Sequence, residues 1–590
     1  MTGSVAEINH LLEQDAPAKQ IAALWDKGYQ NVQTYRAELA ELYEYIYATE
    51  ANSQVQENWN NKTTLPAICN LRDLLHSNYR SSLFPNDNWL KWEAYDSDSI
   101  QKAKRQAIES YMRNKTRESH FTAQMSKLLW DFIDGNCFAM VEWVNESKTD
   151  PVTGEVINGY VGPRPVRISP FDIVFNPTAV DFKSSYKIVR SWKTIGEIEI
   201  LAEQPQNEHL KKILADRARI TTQVGGWLPE DMEKAKQYQI DGFGSLQDYY
   251  QQDCVEFLEF WGDIRDTATG VYQKDQVITV IDRRAVVRHK TWDHWMTHAP
   301  IYHVGWRARP DNLYGMGALT NLVGVQYRID HIQNGVADAK DKSLDPPLVI
   351  TGIVDEMPDN LSEPNAIIQM SEGNIVELGR NLSAIIAAEN DIPALIAYMH
   401  RFAGAPEEAA GIRTAGEKTA FEVDKLFTAA GRTFQEKITQ FETEFLEPIL
   451  NGMLEQARRT ENLNETIRVF SDAAQAEIFR SIEKEDLVAR GILRPVGARH
   501  FATVANTVGD LSRLASTGLW QQIVPHISSY DLAEMVIGNL IPDRYSIVQR
   551  NKMAEDQADF QRAQSAEQQQ LAMEESIEVE DEMNDIPTEF

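Results

Sequence analysis

Gly411, Gly416, Lys418 and Thr419 stand close to the spacing of a phosphate-binding loop. In such a loop backbone N–H groups wrap the phosphates, a lysine reaches the β and γ oxygens, and a hydroxyl holds Mg²⁺. The register fails by one residue. Glu417 separates Gly416 from Lys418 and sets a carboxylate beside the anion's place. The approach, Arg401 to Ala410, is polar and broken by Gly404 and Pro406, where a nucleotide site calls for a buried strand. A glycine-containing loop leading into a helix fits these residues better than an ATPase.

Four histidines, His289, His294, His298 and His303, are interleaved with Trp292, Trp295 and Trp306. Their spacing matches no zinc signature, so an aromatic-rich surface or subunit contact is expected instead of a metal centre. Cys69, Cys137 and Cys254 form no CxxC pair, which points to a reducing cytoplasm and to no disulfide framework. No Ser/His/Asp or Cys/His set, paired-carboxylate motif or dinucleotide fingerprint is visible, and no cofactor is implied. The formal net charge of −30 excludes a protein that captures nucleic acid by neutralising phosphates. The first residues lack the basic and apolar regions of a signal peptide. No run approaches the ~18 apolar residues of a membrane span.

The elements that must position these groups follow from periodicity. Residues 5–50, 66–82 and 99–134 are expected to be helical, and Cys137–Val144 changes to the pattern of a strand. Further strands are expected at Val166–Ile168, Ile173–Asn176, Ile188–Trp192, Val255–Trp261 and Gln276–Ile281. In the helix expected over 315–344, Leu322, Val325, Ile329, Ile332 and Val336 form an apolar stripe, with Asp330, Asp338 and Asp341 largely away from it. A small β unit follows: Leu348–Val354, Ala366–Met370, a turn at Ser371–Asn374, and Ile375–Leu378. A short helix is expected at 391–402, with Pro393 in its first turn. Phe427, Phe434, Ile438, Phe441, Phe445, Ile449 and Met453 then mark one face of a long helix, with Gly431 and Pro448 as expected kinks. Residues 461–548 are expected to be mostly helical, and the acidic Gln/Glu-rich tail 549–590 to extend that helix or fray.

In this order the chain resembles the portal proteins, or head-to-tail connectors, of short-tailed, podovirus-like bacteriophages. The likeness is carried by Leu83-Phe84-Pro85 with Trp89, by Asp134-Gly135-Asn136-Cys137 entering a strand, and by Tyr314-Gly315-Met316-Gly317 before a helix. It continues through the small β module, the run Arg413 to Glu422 opening the long helix, and the Gln/Met/Ala-rich tail. The resemblance implies an α+β, predominantly α-helical fold in a wing, stem, clip and crown architecture. Residues 1–314 would be an N-terminal wing, 315–344 a descending stem helix, 345–388 the clip and 389–402 an ascending stem helix. A tunnel loop (403–418), a long wing helix (419–460), a helical crown (461–548) and the tail would follow.

The function so implied is non-enzymatic: a homo-oligomeric ring of twelve copies at one capsid vertex, with double-stranded DNA passing during packaging, retention and ejection. Its partners would be the terminase packaging motor, a tail adaptor, the major capsid protein and scaffold or internal core proteins, in the virion and, during assembly, the host cytoplasm. No membrane is involved. Arg413, Thr414, Glu417 and Lys418 would sit in the tunnel loop, Asp330, Asp338 and Asp341 would line the stem channel, and Arg494 and Arg499 would meet DNA in the crown. Two alternatives stand beside this: a P-loop ATPase such as the packaging motor, and another structural virion protein of the core or scaffold.

Overall fold

The computed structural model describes residues 15–47, 61–84, 89–95, 104–146, 148–149, 156–157, 159–203, 210–215, 254–265, 270–293, 295–344, 348–356, 369–377, 382–405, 433–459, 464–471 and 476–495. Helices α1 (Ala16–Asn31), α2 (Gln33–Ile46) and α3 (Ala67–Leu83) precede strand β1 (Leu90–Ala94), α4 (Arg105–Glu118) and α5 (Phe121–Asp134). Then come β2 (Asn136–Asn145), β3 (Lys148–Thr149), β4 (Val156–Ile157), β5 (Val161–Ile168), β6 (Ile173–Phe175) and β7 (Lys187–Thr194). After α6 (Ile195–Ala202) run β8 (Cys254–Arg265), β9 (Tyr272–Ile281), β10 (Ala285–Thr291), β11 (Ile301–Gly305), β12 (Arg307–Arg309) and β13 (Asn312–Met316). Next are α7 (Val323–Leu344), β14 (Leu348–Glu356), β15 (Gln369–Glu377) and α8 (Leu382–Ala403). A helix from 433 passes through a π-helical turn (Glu442–Leu446) into α9 (Glu447–Arg459). The described chain ends with β16 (Asn464–Ser471), β17 (Ala476–Glu483), α10 (Lys484–Leu487) and β18 (Gly491–Pro495). Among the described residues the fold is mixed, about 52% helical and 29% strand.

Two compact units divide the chain: Met1–Arg80 with Glu118–Gln456, and Ser81–Arg117 with Ala457–Phe590. The first holds a five-stranded antiparallel sheet in the order β10-β9-β8-β7-β6 and a three-stranded sheet, β11-β2-β5. Ala18, Ile21, Trp25 and Tyr29 recur on one face of α1, and that face is buried with Val174, Ile188, Leu258, Phe260 and Val280 of the large sheet. Phe138, Phe175, Phe182, Trp261 and Tyr314 form a second core. In the second unit β1 pairs with β18, and Lys104 Nζ donates to the carbonyls of Glu485 and Val488.

The long apolar face is where its spacing put it: Ile438, Phe441, Phe445, Ile449 and Met453 are all buried. Phe434 stacks on Tyr79 with ring centroids 5.0 Å apart. Pro448 does not break the helix. It lacks the N–H that would return to residue 444, and the π turn immediately before it takes up the mismatch. Gly431 lies outside the described residues.

Four expectations are corrected. The helix α8 starts at Leu382, so residues 382–388 belong to it and not to the β module, and Pro393 is inside the helix. Ser371–Asn374 is not a turn but the middle of β15, pairing with Thr351, Gly352 and Ile353 of β14. At that crossing Gly352 has φ +126°, and a Cβ on it would lie 2.0 Å from the Glu372 carbonyl oxygen. The segment expected to open a helical crown is instead the hairpin β16–β17, followed by one turn of helix and β18. Of the helix expected over 99–134, the described part from 104 is two helices separated at His120, whose backbone is left-handed.

Candidate functional site

The three candidate channel aspartates lie on α7, and two of them are buried. Asp330 and Asp338 are 1% and 5% exposed, because their face is covered by the segment leading into α3. Gln326, Asp330, Asn334 and Asp338 recur every fourth residue and so share one side of the helix. The Ile68 N–H donates to Gln326 Oε1 (3.1 Å), Leu65 N–H to Asp330 Oδ1 (2.9 Å), Thr63 N–H to Asn334 Oδ1 (2.9 Å) and Asn61 N–H to Asp338 Oδ1 (2.9 Å). In return Gln326 Nε2 donates to the Leu65 carbonyl and Asn334 Nδ2 to that of Thr63. The alternation 61, 63, 65 is that of an extended chain. Asp341, exposed, accepts from Asn61 Nδ2 at 2.7 Å. Asp330 and Asp338 are therefore committed to holding backbone and are not available to line a channel. Burial pushes the Asp330 carboxyl up to about 6, against the pull of the Leu65 N–H and the Gln326 amide.

The other candidates divide cleanly. Arg494 is half-exposed on β18 and pairs across the strands with Glu93 of β1 at 3.1 Å. Arg413, Thr414, Glu417 and Lys418 lie outside the described residues, as do Arg499 and His294. His289 is exposed on β10, His298 bonds the Ala299 carbonyl, and His303 is on β11 among Phe138, Phe175 and Phe182. Among the described residues no three His, Cys, Asp or Glu side chains come together as a metal site.

Two of the motifs do meet. Asn136 Oδ1 accepts from the Gly315 N–H (2.7 Å) and contacts His303 Nε2 (3.0 Å), while Nδ2 donates to the Gly315 carbonyl and to Tyr35 Oη, both at 2.9 Å. A Cβ on Gly317 would lie 2.3 Å from the Asp134 carbonyl oxygen, so the second motif needs a bare backbone there. Asp134 itself is gripped by Arg72 through two bonds of 2.9 and 2.6 Å. The shared signal was the glycines flanking Asn136 and Tyr314. Nothing in the sequence said that they pack on one another.

Burial lowers the His303 pKa to about 3. The unfolded chain takes up this proton near pH ~6.5 and the folded chain does not. The resulting stability is complete above that pH and is lost as pH falls toward 3. His303→Gln, which keeps a donor and cannot charge, is expected to flatten the acid limb. Its Tm should fall by roughly 5 °C less than that of the parent between pH 7 and pH 4, as thermal melts would report.

Other charges are buried as pairs. Arg283 meets Glu256 through Nε (2.9 Å) and Nη2 (3.0 Å), and Asp26 through Nη1 (2.8 Å). Arg190 pairs with Asp172, and Arg167 with Asp131. A cavity of about 650 Å³ is lined by Glu142, Arg167, Arg190, Lys193, Glu259 and Arg288 among others. Glu142 is pushed up by burial and by Glu259. Acids and bases are mixed in this lining, so it offers no single sign of charge to a ligand.

No helix of the described residues is long and apolar enough to cross a membrane. The chain matches no protein-family model and no curated protein. A functional reading must therefore stand on the elements themselves.

Proposed function

We infer that the chain is the portal subunit of a tailed bacteriophage. As such it is a non-enzymatic structural protein whose copies close into a ring at one capsid vertex, through which double-stranded DNA is packaged, held and ejected. The observation that carries this reading is the unit α7–β14–β15–α8. Two 22-residue helices pack together and are joined through an antiparallel hairpin of two nine-residue strands. Lys340 on one helix forms an ion pair with Glu389 on the other. This arrangement fits the stem and clip that the resemblance implies, with a clip shortened by the early start of α8.

Exposure supports the same reading. Six of the thirteen exposed large apolar side chains among the described residues fall on this one unit: Tyr327, Val349, Ile353, Val376, Ile386 and Tyr398. Both outer edges of the β14–β15 hairpin are unpaired among the described residues. Apolar residues beside open strand edges invite pairing with further chains. In a ring, neighbouring copies would cover them. The acidic balance of the chain suits a conduit that DNA traverses without sticking. The motor, the tail adaptor and the capsid proteins are the partners this reading proposes, and the virion is its location.

Electron microscopy of the purified chain tests it: annular particles with a central hole are expected. Ile353→Asp combined with Val376→Asp should cut the assembled fraction at least tenfold on size exclusion while leaving the circular dichroism spectrum intact. A chain that stays monomeric at high concentration would overturn the reading, and ATP hydrolysis by that monomer would favour the nucleotide-site alternative.

A further inference from the structure

The rungs between α7 and residues 61–68 are not chemically equal. An amide side chain both accepts and donates, and Gln326 and Asn334 do both, taking a backbone N–H and returning a bond to a carbonyl. A charged carboxylate only accepts. Asp330 Oδ1 receives the Leu65 N–H and the Gln326 amide, whereas Oδ2 is buried with no hydrogen bond among the described residues. An anionic oxygen in that position is costly, since it has lost water and gained no donor. A proton on Oδ2 removes the charge and leaves Oδ1 to accept the Leu65 N–H.

The surroundings do not offset the charge. Along α7 the neighbouring rungs are the neutral Gln326 and Asn334. Tyr327 stands three residues before Asp330 and stacks on His331, the residue after it, and Asp338 stands two rungs away with Asn61 as its partner. From α2, Tyr45 faces Asp330, its hydroxyl kept protonated by burial and by Glu41, with Glu44 also acting on it. The covering segment contributes Lys62, which is exposed, and the first turn of α3 is Ala67, Ile68, Cys69 and Asn70. Among the described residues no cation stabilises the Asp330 carboxylate.

We propose that this ladder is a proton-operated latch, in which residues 61–68 are clamped to α7 when Asp330 is protonated and loosened when it is charged. The direction follows from where the carboxyl titrates. It holds its proton to about pH 6, above its ordinary value, so the clamped state is favoured in mild acid and weakened as pH rises through 6. The latch is a property of the single chain and does not depend on the ring.

Hydrogen exchange of the full chain, corrected for intrinsic amide rates, tests this at pH 5 and pH 7.5. Protection of the 61–68 amides should fall on the order of tenfold from pH 5 to pH 7.5, whereas β8, whose opening acid favours through His303, should lose none. Asp330→Asn, which mimics the protonated rung, should show the high protection at both values. Asp341→Asn, at the exposed end, should respond as the parent does. Equal protection of the parent at both pH values would overturn the proposal, as would an undiminished pH response in Asp330→Asn. The parent series decides by itself should Asp330→Asn fail to fold.

Discussion

Arg283→Ala is expected to lower stability by about 3–5 kcal/mol, the loss seen when one partner of a buried ion pair is removed. Glu256 is fully buried and places both oxygens on Arg283, and the next cation is Arg190, with Nη1 4.0 Å away. Truncation therefore strands a carboxylate in the large sheet's surroundings. The backbone makes the case sharper. Asp282 and Arg283 form the turn between β9 and β10 with φ of +48° and +58°, a conformation that usually selects asparagine and glycine. The ion pairs hold an arginine where its backbone is strained. Arg283→Gly loses the same pairs but relieves the strain, so it should be less damaging than alanine by about 1 kcal/mol. Urea midpoints with hydrogen exchange in β8 and β9 would measure both. A loss under about 1 kcal/mol for Arg283→Ala would show that Glu256 finds other compensation, well short of the buried-pair range.

Asn136→Ala should be comparably severe, about 3–5 kcal/mol, because several buried groups lose their partners at once and each costs about 1–3 kcal/mol. The Gly315 N–H and carbonyl, His303 Nε2 and Tyr35 Oη all converge on this one amide. It ties the start of β2 to β11, β13 and α2. The expected signature is a lower Tm together with faster proteolysis around 301–316. Unchanged cleavage there would mean that the strands hold without the amide.

These two sites also show what a single sequence can and cannot reveal. The local pattern is legible. The apolar stripe is buried at Leu322, just ahead of α7, and at Ile329, Ile332 and Val336 on it, although the helix begins at Val323 and not at 315, where strand β13 runs to Met316; the face of the long helix is buried at five of its marked positions. Strands β2, β5, β6, β7, β8 and β9 lie where alternation put them, β6 ending one residue early and the others with longer bounds. What fails is whatever depends on a distant partner. Asp330 and Asp338 look like surface charges on a helix, and only residues 61–65, far away in the chain, turn them inward. The four-residue recurrence of Gln326, Asp330, Asn334 and Asp338 was visible, but the sequence does not say which backbone it would hold. Thr466 to Phe470 alternates like a strand, yet its Ala-, Gln- and Glu-rich surroundings favoured helix. Pairing with β17 decided the matter. The tunnel-loop candidates Arg413, Thr414, Glu417 and Lys418 lie outside the described residues.

The match between α7 and its covering segment has a geometric limit. Four residues of helix advance about 6.0 Å, two of extended chain about 6.6 Å, so the two rulers slip by about 0.6 Å at each step. Like a vernier, they coincide over a short span and then fall out of phase. The ends absorb the slippage: Gln326, one methylene longer than asparagine, reaches across to Ile68, and Asn61 extends its own side chain to Asp338 and Asp341. The helix thus gauges how much chain it can carry, and the junction into α3 falls where the gauge runs out.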